Sequence, residues 1–407
     1  MRNSVLTVEE AKELVIGNTT VLETTEVLLG ECPGLVLAQD IISPIDLPMF
    51  TNSAVDGYAL KSSDIVGAGQ TGPVKLEVIS TIRAGEYPSF SLGPGECAKI
   101  MTGAPVPKGA DTVVMIENAE EKDGILRIMK VVRPKDHMRF QGEEIQKGEV
   151  AIESGVELNT AAVGFLAEMG IKNIKVYRKP KLAVVVSGEE LAGPDEDLVP
   201  GKIRDSNSII LSTVLSQDNT ELLSVEHVKD EIPDIKKKLI KAIERCDVVI
   251  ITGGVSVGEY DYVKGVLEEI GVQRIFWRVS QRPGGPLYFG KKENTLVFGL
   301  PGNPASVLVC YFEYVRAALN KMIGKEDFFL FQVEAILTEE IRKTPGKTNF
   351  VRGRLTIKDS EYHVKPSGAQ GSHILKSFAL SNCLIVFPKD ETHLQILSKV
   401  SVHILPS

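Results

Sequence analysis

Between Lys181 and Lys325 four short apolar runs recur, KLAVVVSG, DVVIITGG, RIFWRV and TLVFGL. Between and after them lie stretches of helical period, at Asn207–Ser216, Asp234–Arg245, Tyr262–Ile270 and Ala305–Met322. Strands that alternate with helices in this way build a parallel sheet covered by helices on both faces. Such a sheet gathers ligands beyond the carboxyl ends of its strands, so the residues after each run matter most. They read SGEEL (Ser187–Leu191), TGGVSVGEYD (Thr252–Asp261), SQRPGGP (Ser280–Pro286) and LPGNP (Leu300–Pro304). Every one of these turns carries glycine, and in a parallel sheet all four lie on one edge.

The chemistry of that edge follows from its residue types. TGGVSVG offers bare peptide amides, from Gly253 and Gly254 among others, with the hydroxyls of Thr252 and Ser256. Both kinds of donor suit oxyanions. Pro304 stands where proline is tolerated at the start of a helix, which aims a helix N-terminus at the same edge. Arg282 adds positive charge, and Glu190, Glu259 and Asp261 add negative charge. Amides beside carboxylates suit a phosphate–Mg²⁺ pair, because magnesium takes oxygen ligands and bridges a carboxylate or two to substrate phosphate. Each glycine pair read singly is also a tight turn. No GxGxxG follows the first strand and no GK[ST] occurs, which excludes the dinucleotide fingerprint and the P-loop.

Outside this section the pattern changes. Thr7 and Glu10 stand at capping-box spacing ahead of a helix to about Ile16, with a break at Gly17-Asn18. Asp46–Ala59 is a linker rich in turn formers. From Gly72 to about Val132, β-branched and alternating runs between Gly/Pro clusters read as a small antiparallel β domain. Leu158–Met169 is helical, with Asn159 or Thr160 as cap and Gly170 as stop. The tail from Phe328 is strand-like again. The chain therefore divides into a helical linking region (1–50 and 140–178), a β-rich domain (51–139), an α/β domain (179–325) and a C-terminal β domain (326–407). The 407 residues carry a net charge of −8, which argues against a nucleic-acid surface. The five cysteines are scattered with no CxxC, and the six histidines form no HxxxH or HxE pair, so neither a disulfide framework nor a structural zinc site is indicated. No basic-then-apolar leader and no apolar run near the roughly 20 residues of a membrane span is seen. A cytoplasmic protein is expected.

Five segments carry a specific resemblance: SAVDGYAL (Ser53–Leu60), IMTGAPVP (Ile100–Pro107), IRDSN (Ile203–Asn207), GGVSVGEYDYVK (Gly253–Lys264) and LPGNPASV (Leu300–Val307). In this order and at these separations the chain resembles the molybdopterin molybdenumtransferases, the family of bacterial MoeA and the C-terminal domain of gephyrin. The resemblance covers essentially the whole chain. It implies a multidomain α/β plus β fold, whose α/β part is similar to MogA. It also implies a homodimer that loads molybdate onto adenylylated molybdopterin with release of AMP and with Mg²⁺. The substrate would come from a MogA-type adenylyltransferase, with which transient contact is expected.

The resemblance also implies site residues. Asp56, Thr102, Glu190, Asp230 and Asp261 match the family's cleft residues, with Glu190 and Asp261 as metal ligands. Gly253, Gly254 and Ser256 would hold the phosphates, and Arg282, Pro301, Pro304 and Arg139 would line the substrate. Some positions depart from the pattern. Glu189 stands where aspartate is usual, Glu144 likewise, and Arg278 replaces a common lysine. The usual KPGKP is RPGGP, so Arg282 keeps a charge and Gly285 loses one. A bland role also exists for several residues: Asp56 could cap the turn before Gly57, Thr102 could serve a TGAP turn, and Asp230 and Arg139 could be solvated surface charges. Two other functions compete. A molybdopterin adenylyltransferase would share the GG and GNP turns, but the VDGYA and MTGAP segments and the C-terminal β part have no place in a free-standing domain of that kind. A gephyrin-like scaffold would need no chemistry at all.

Overall fold

The computed structural model describes residues 5–69, 72–193, 195–229, 231–254 and 262–406. The chain forms two compact units. One comprises Met1–Ala38, Gly155–Asn159 and Asn173–Ser407, and the other Gln39–Ser154 and Thr160–Lys172.

The centre of the first unit is a six-stranded sheet in the order Glu221–Val228, Lys181–Ser187, Val248–Thr252, Thr295–Leu300, Tyr288–Lys292, Gln273–Trp277. The first four strands are mutually parallel. Tyr288–Lys292 runs against them, and Gln273–Trp277 pairs antiparallel with it, so it points the same way as the parallel four. The sheet is thus mixed, whereas strand–helix alternation leads one to expect a wholly parallel one. Two of its strands have no continuous apolar run. Glu221–Val228 is a half-exposed edge strand, and Tyr288–Lys292 (YFGKK) joins Thr295 through a two-residue turn whose Glu293 has φ 53°. Successive residues of the central strands alternate between two cores. Leu182, Val184 and Val186 face the helices Asn207–Gln217 and Pro304–Met322, while Ala183 and Val185 face Ile232–Ile243 and Tyr262–Glu269. This period of two is what a sheet sandwiched by helices requires, and each buried aliphatic side chain contributes about 1.5–3 kcal/mol.

The first helix, Val8–Asn18, starts with the expected capping box: Glu10 N–H donates to Thr7 Oγ1 at 3.2 Å and Thr7 N–H to Glu10 Oε2 at 2.9 Å. It continues through Gly17-Asn18 rather than breaking there, because nothing crowds Gly17 and the Asn18 amide caps back onto the Leu14 carbonyl. The long helix from Pro304 contains a π-helical turn at Tyr311–Val315. At its centre Glu313, 1% exposed, meets Lys12 Nζ of the first helix at 2.5 Å and His403 Nδ1 of the last strand at 2.8 Å. The C-terminal sheet, built from Gln332–Leu337, Thr348–Lys358, Glu361–Pro366, Cys383–Phe387 and Lys399–Ile404, closes on itself through the pairing of Thr348–Lys358 with Cys383–Phe387. It is a small barrel around Leu337, Val351, Ile385 and Val402.

The second unit holds a six-stranded sheet in the order Thr112–Met115, Gly57–Leu60, Glu96–Ile100, Val74–Ile82, Ile125–Ile128, Ala119–Lys122. It is not purely antiparallel as expected. Val74–Ile82 and Glu96–Ile100 are parallel, because the Gly/Pro-rich connection 83–95 carries the chain back past the sheet before the next strand starts. Its helix, Thr160–Glu168, ends at Gly170 with φ 76°. Among the described residues no helix is long and apolar enough to cross a membrane.

Candidate functional site

Three of the four glycine turns converge at the carboxyl edge of the first unit's sheet. Strand register sets Val186 beside Thr252 and Thr252 beside Leu300. Gly253 follows in the left-handed region at φ 86°, and a Cβ there would stand 2.2 Å from the Ser187 carbonyl oxygen. Only glycine fits such an approach. Its amide donates to the Leu300 carbonyl at 3.3 Å, and a Cβ on Gly302 would come within 3.9 Å of the Gly253 Cα. The turns that start at Ser187, Gly253 and Pro301 therefore touch. Gly254, at φ 63°, lies against Val263 of the following helix.

Asn207 ties this arrangement together, and sequence reasoning quoted it in IRDSN without giving it a role. Its Nδ2 donates to Thr252 Oγ1 at 3.0 Å and to the Gly302 carbonyl at 2.7 Å. Thr252 is fully buried and its hydroxyl donates to the Pro301 carbonyl at 3.3 Å. The hydroxyl expected to face an oxyanion is thus an internal brace between two turns. Asn207 Oδ1, by contrast, is buried without a hydrogen-bond partner among the described residues. Gly302 can only accept at its carbonyl, so the amide cannot flip to relieve it.

The helix N-terminus at Pro304 also differs from expectation. Ala305 N–H donates to the Ser372 carbonyl at 3.1 Å, and Ser306 and Val307 donate to the Asn303 carbonyl. The QGSH loop of the C-terminal barrel takes the first of the amides that were expected to face a ligand, and Asn303 takes the next two. The same loop surrounds Arg352, another residue that sequence reasoning missed. Its guanidinium, 1% exposed, donates to the carbonyls of Ala369 (3.2 Å) and Gly371 (3.0 Å) and to Ser377 Oγ. Among the described residues it has no carboxylate partner, and burial lowers its pKa to about 10. A positive charge without a counter-ion beside the turn that follows Leu300 is an electrostatic reason for an anion to settle there. The signal was an arginine among apolar residues, in a strand that carries a second arginine at Arg354.

Of the charged residues expected at the edge, Glu190 and Arg282 are exposed. Glu190 curls over Gly188, with Oε2 2.9 Å from where a Cβ on that glycine would lie, and it has no cation partner among the described residues. Arg282 lies in the two-residue strand Gln281–Arg282, which pairs with Thr348–Asn349 of the C-terminal sheet. Its guanidinium forms no ion pair with a described residue. The following turn is built for glycine: a Cβ on Gly284 would meet Cys310 Sγ at 2.5 Å, and one on Gly285 would lie 3.1 Å from the Gln281 carbonyl. Arg278, at φ 88°, lies over the Trp277 ring at 4.3 Å. Pro301 is buried and Pro304 half-buried.

In the second unit Asp56 and Thr102 are brought together. Asp56 Oδ1 accepts the Thr102 amide at 2.7 Å and its hydroxyl at 2.9 Å. These two bonds hold the Asp56 carboxyl below its ordinary pKa. Arg139 is exposed in a short strand paired with Asn52–Ser53. Asp230, Ser256 and Asp261 lie outside the described residues. Among the described residues no three His, Cys, Asp or Glu side chains gather as a metal cluster. The chemistry of Glu190, an oxygen donor with no competing partner, fits a hard cation such as Mg²⁺.

Comparison with known proteins adds the family. The profile of the MoeA N-terminal region (domain I and II) matches residues 6–170, that of a probable molybdopterin binding domain matches 183–321, and that of the MoeA C-terminal region (domain IV) matches 334–405. A molybdopterin molybdenumtransferase of Haemophilus influenzae is 35% identical over 406 residues, 98% of each chain. One from Nostoc sp. is 35% identical over 94% of this chain and 89% of its own. The crystal structure of the molybdopterin biosynthesis moeA protein of Pyrococcus horikoshii OT3 superposes with a TM-score of 0.85 at 30% identity, covering 98% of this chain and all of that one.

Proposed function

The chain belongs to the family of molybdopterin molybdenumtransferases, and on that premise we propose that it works in molybdenum cofactor biosynthesis as a transferase that inserts molybdate into adenylylated molybdopterin and releases AMP. The observation that carries this reading is the contact of the Ser187, Gly253 and Gly302 turns, braced by Asn207. It brings the glycine turns and the exposed Glu190 onto one sheet edge, where a phosphorylated substrate meets them.

In this reading the glycine turns bind and orient the phosphates. Gly253 and Gly254 keep side chains out of the way, and Ser256 adds a hydroxyl. Arg282 and Arg352 balance the charge of the substrate anions. Arginine's planar fork suits oxyanions, which offsets the absence of a lysine at Gly285. In the second unit Asp56, held by Thr102, and the exposed Arg139 are assigned polar contacts to substrate. Glu190 and Asp261 would hold Mg²⁺, and Asp230 is assigned to the site as a further acid. When bound, the ion supplies charge neutralisation between carboxylates and phosphates, a repulsion of several kcal/mol at short range in a shielded cleft. A cytoplasmic homodimer and transient contact with a MogA-type adenylyltransferase belong to the same reading, as does the division of the chain at residues 50, 139, 178 and 325.

The test is release of AMP from adenylylated molybdopterin on addition of molybdate and Mg²⁺. The proposal predicts stoichiometric AMP, and Asp261→Asn is expected to abolish Mg²⁺-dependent turnover. ATP consumption in its place would point to the adenylyltransferase, and no reaction at all would reject an enzyme of either kind.

A further inference from the structure

At the outer strand of the same sheet a buried carboxylate stands behind an exposed imidazole. Asp205 lies two residues before Asn207, in the loop that leads into the Asn207–Gln217 helix, and its side chain is 4% exposed. Asp205 Oδ1 accepts the Ser208 amide at 3.1 Å, and Oδ2 lies 2.7 Å from Nε2 of His227. Burial alone would raise the Asp205 pKa, but the bonds from Ser208 and His227 outweigh it and hold the carboxyl below its ordinary value.

His227 sits one residue from the end of the Glu221–Val228 strand, with its side chain 58% exposed. Register sets it beside Val186, and Val186 beside Thr252. Neighbouring strands are about 4.8 Å apart, so the backbone of His227 stands roughly 10 Å from the start of the glycine turn at Gly253. The dyad is tied to that turn a second time through the IRDSN loop, whose Asn207 holds Thr252 and Gly302.

The ring is oriented and half free. Asp205 holds Nε2, and Nδ1 has no hydrogen bond to another described residue. We propose that His227, oriented by Asp205, donates Nδ1–H to an oxyanion of the bound substrate. The nature of the anion, a nucleotide phosphate or molybdate, rests on the functional reading above. A charge-assisted bond to an oxyanion is stronger than a neutral one.

Lys238, from the Ile232–Ile243 helix, donates to the His227 carbonyl and lies 3.8 Å from both Glu226 of the same strand and Asp234 of the same helix. Lys241 is also 3.8 Å from Glu226, and Lys229 follows on the chain. From the neighbouring strand the register partner is the uncharged Val186. Glu226 and Asp234 therefore have lysine partners of their own.

The test is equilibrium binding of AMP, and separately of molybdate, to the full chain at pH 6. Wild type is compared with His227→Asn and His227→Lys, with thermal unfolding midpoints measured alongside. For His227→Asn the expected ratio of variant to wild-type Kd is about 5–10, in whichever of the two arms identifies the anion. His227→Lys keeps a positive charge and is expected to bind close to wild type, a rescue that a merely structural histidine would not permit. Ratios near 1 for His227→Asn in both arms, or a His227→Lys as weak as His227→Asn, would overturn the proposal. A wild type that binds neither ligand and releases no AMP would instead bring down the functional reading, and the dyad's role with it.

Discussion

Two groups of charges in the first unit are treated in opposite ways. Inside, at the π-helical turn, Glu313 is sealed from water and meets both Lys12 and His403. At the carboxyl edge of the sheet Glu190 is exposed and without an ion-pair partner among the described residues, as is Arg282 in the strand that pairs with the C-terminal sheet, while the buried Arg352 finds only neutral acceptors among the described residues. Burying a charge is costly unless it is paired, so the interior cluster is what folding alone would select. The edge groups gain nothing for stability by standing unpaired, and their arrangement makes sense when an anionic ligand completes it. Polar groups matched within the chain hold it together, and those left unmatched mark where something else binds.

Removing Glu313 should break the inner cluster most severely. Glu313→Ala leaves Lys12 and His403 without their shared partner, and we expect a loss of about 3–5 kcal/mol in chemical denaturation, with AMP release per folded molecule unchanged. A loss below 1 kcal/mol would mean that the cluster is not structural. Next is Gly253→Ala, at a positive φ and with a Cβ 2.2 Å from a carbonyl oxygen. It should cost about 1–3 kcal/mol and lower turnover at least tenfold, which unfolding and AMP-release measurements would separate.

The pH dependence of stability sharpens the same contrast. Burial alone would raise the Glu313 pKa, but His403 and Lys12 outweigh it and hold it below the ordinary 4.5. A depressed carboxylate contributes stability that is fully present above its unfolded pKa and is lost as pH falls through the folded value. Wild type should therefore lose stability below about pH 4.5 more steeply than Glu313→Gln, as urea midpoints between pH 6 and 3 would reveal. Parallel slopes would dissociate Glu313 from acid sensitivity. The smallest effects on stability belong to the exposed residues. Glu190→Gln and Thr102→Ala should change unfolding by less than about 0.5 kcal/mol, while Glu190→Gln lowers Mg²⁺-dependent turnover and Thr102→Ala weakens substrate binding. A large fall in melting temperature for either would move it to the structural class.

The glycine turns and the alternation of the central strands were legible in the sequence, because a run such as DVVIITGG has one physical reading. The edge strand Glu221–Val228 was not, since its half-exposed residues dilute the pattern, nor was Tyr288–Lys292, whose hairpin has no Asn-Gly signature. At the site, Asp56 and Thr102 were found separately, but no spacing rule could reveal that one accepts the other's hydroxyl across 46 residues. Asn207 and Arg352 were missed because their significance lies in what they hold: two carbonyl-lined turns in one case, and a loop from a distant barrel in the other. Thr252 illustrates the converse, a hydroxyl of the right type at the right place whose bond is made inward.

The account depends most on the edge formed by Ser187, Gly253 and Gly302. Diffraction from crystals of the full chain soaked with AMP and molybdate would test it directly. The predicted result is nucleotide phosphate density against the 187–190, 253–254 and 301–302 turns. Ordered nucleotide bound on another face of the protein, with these turns in contact with solvent alone, would contradict it.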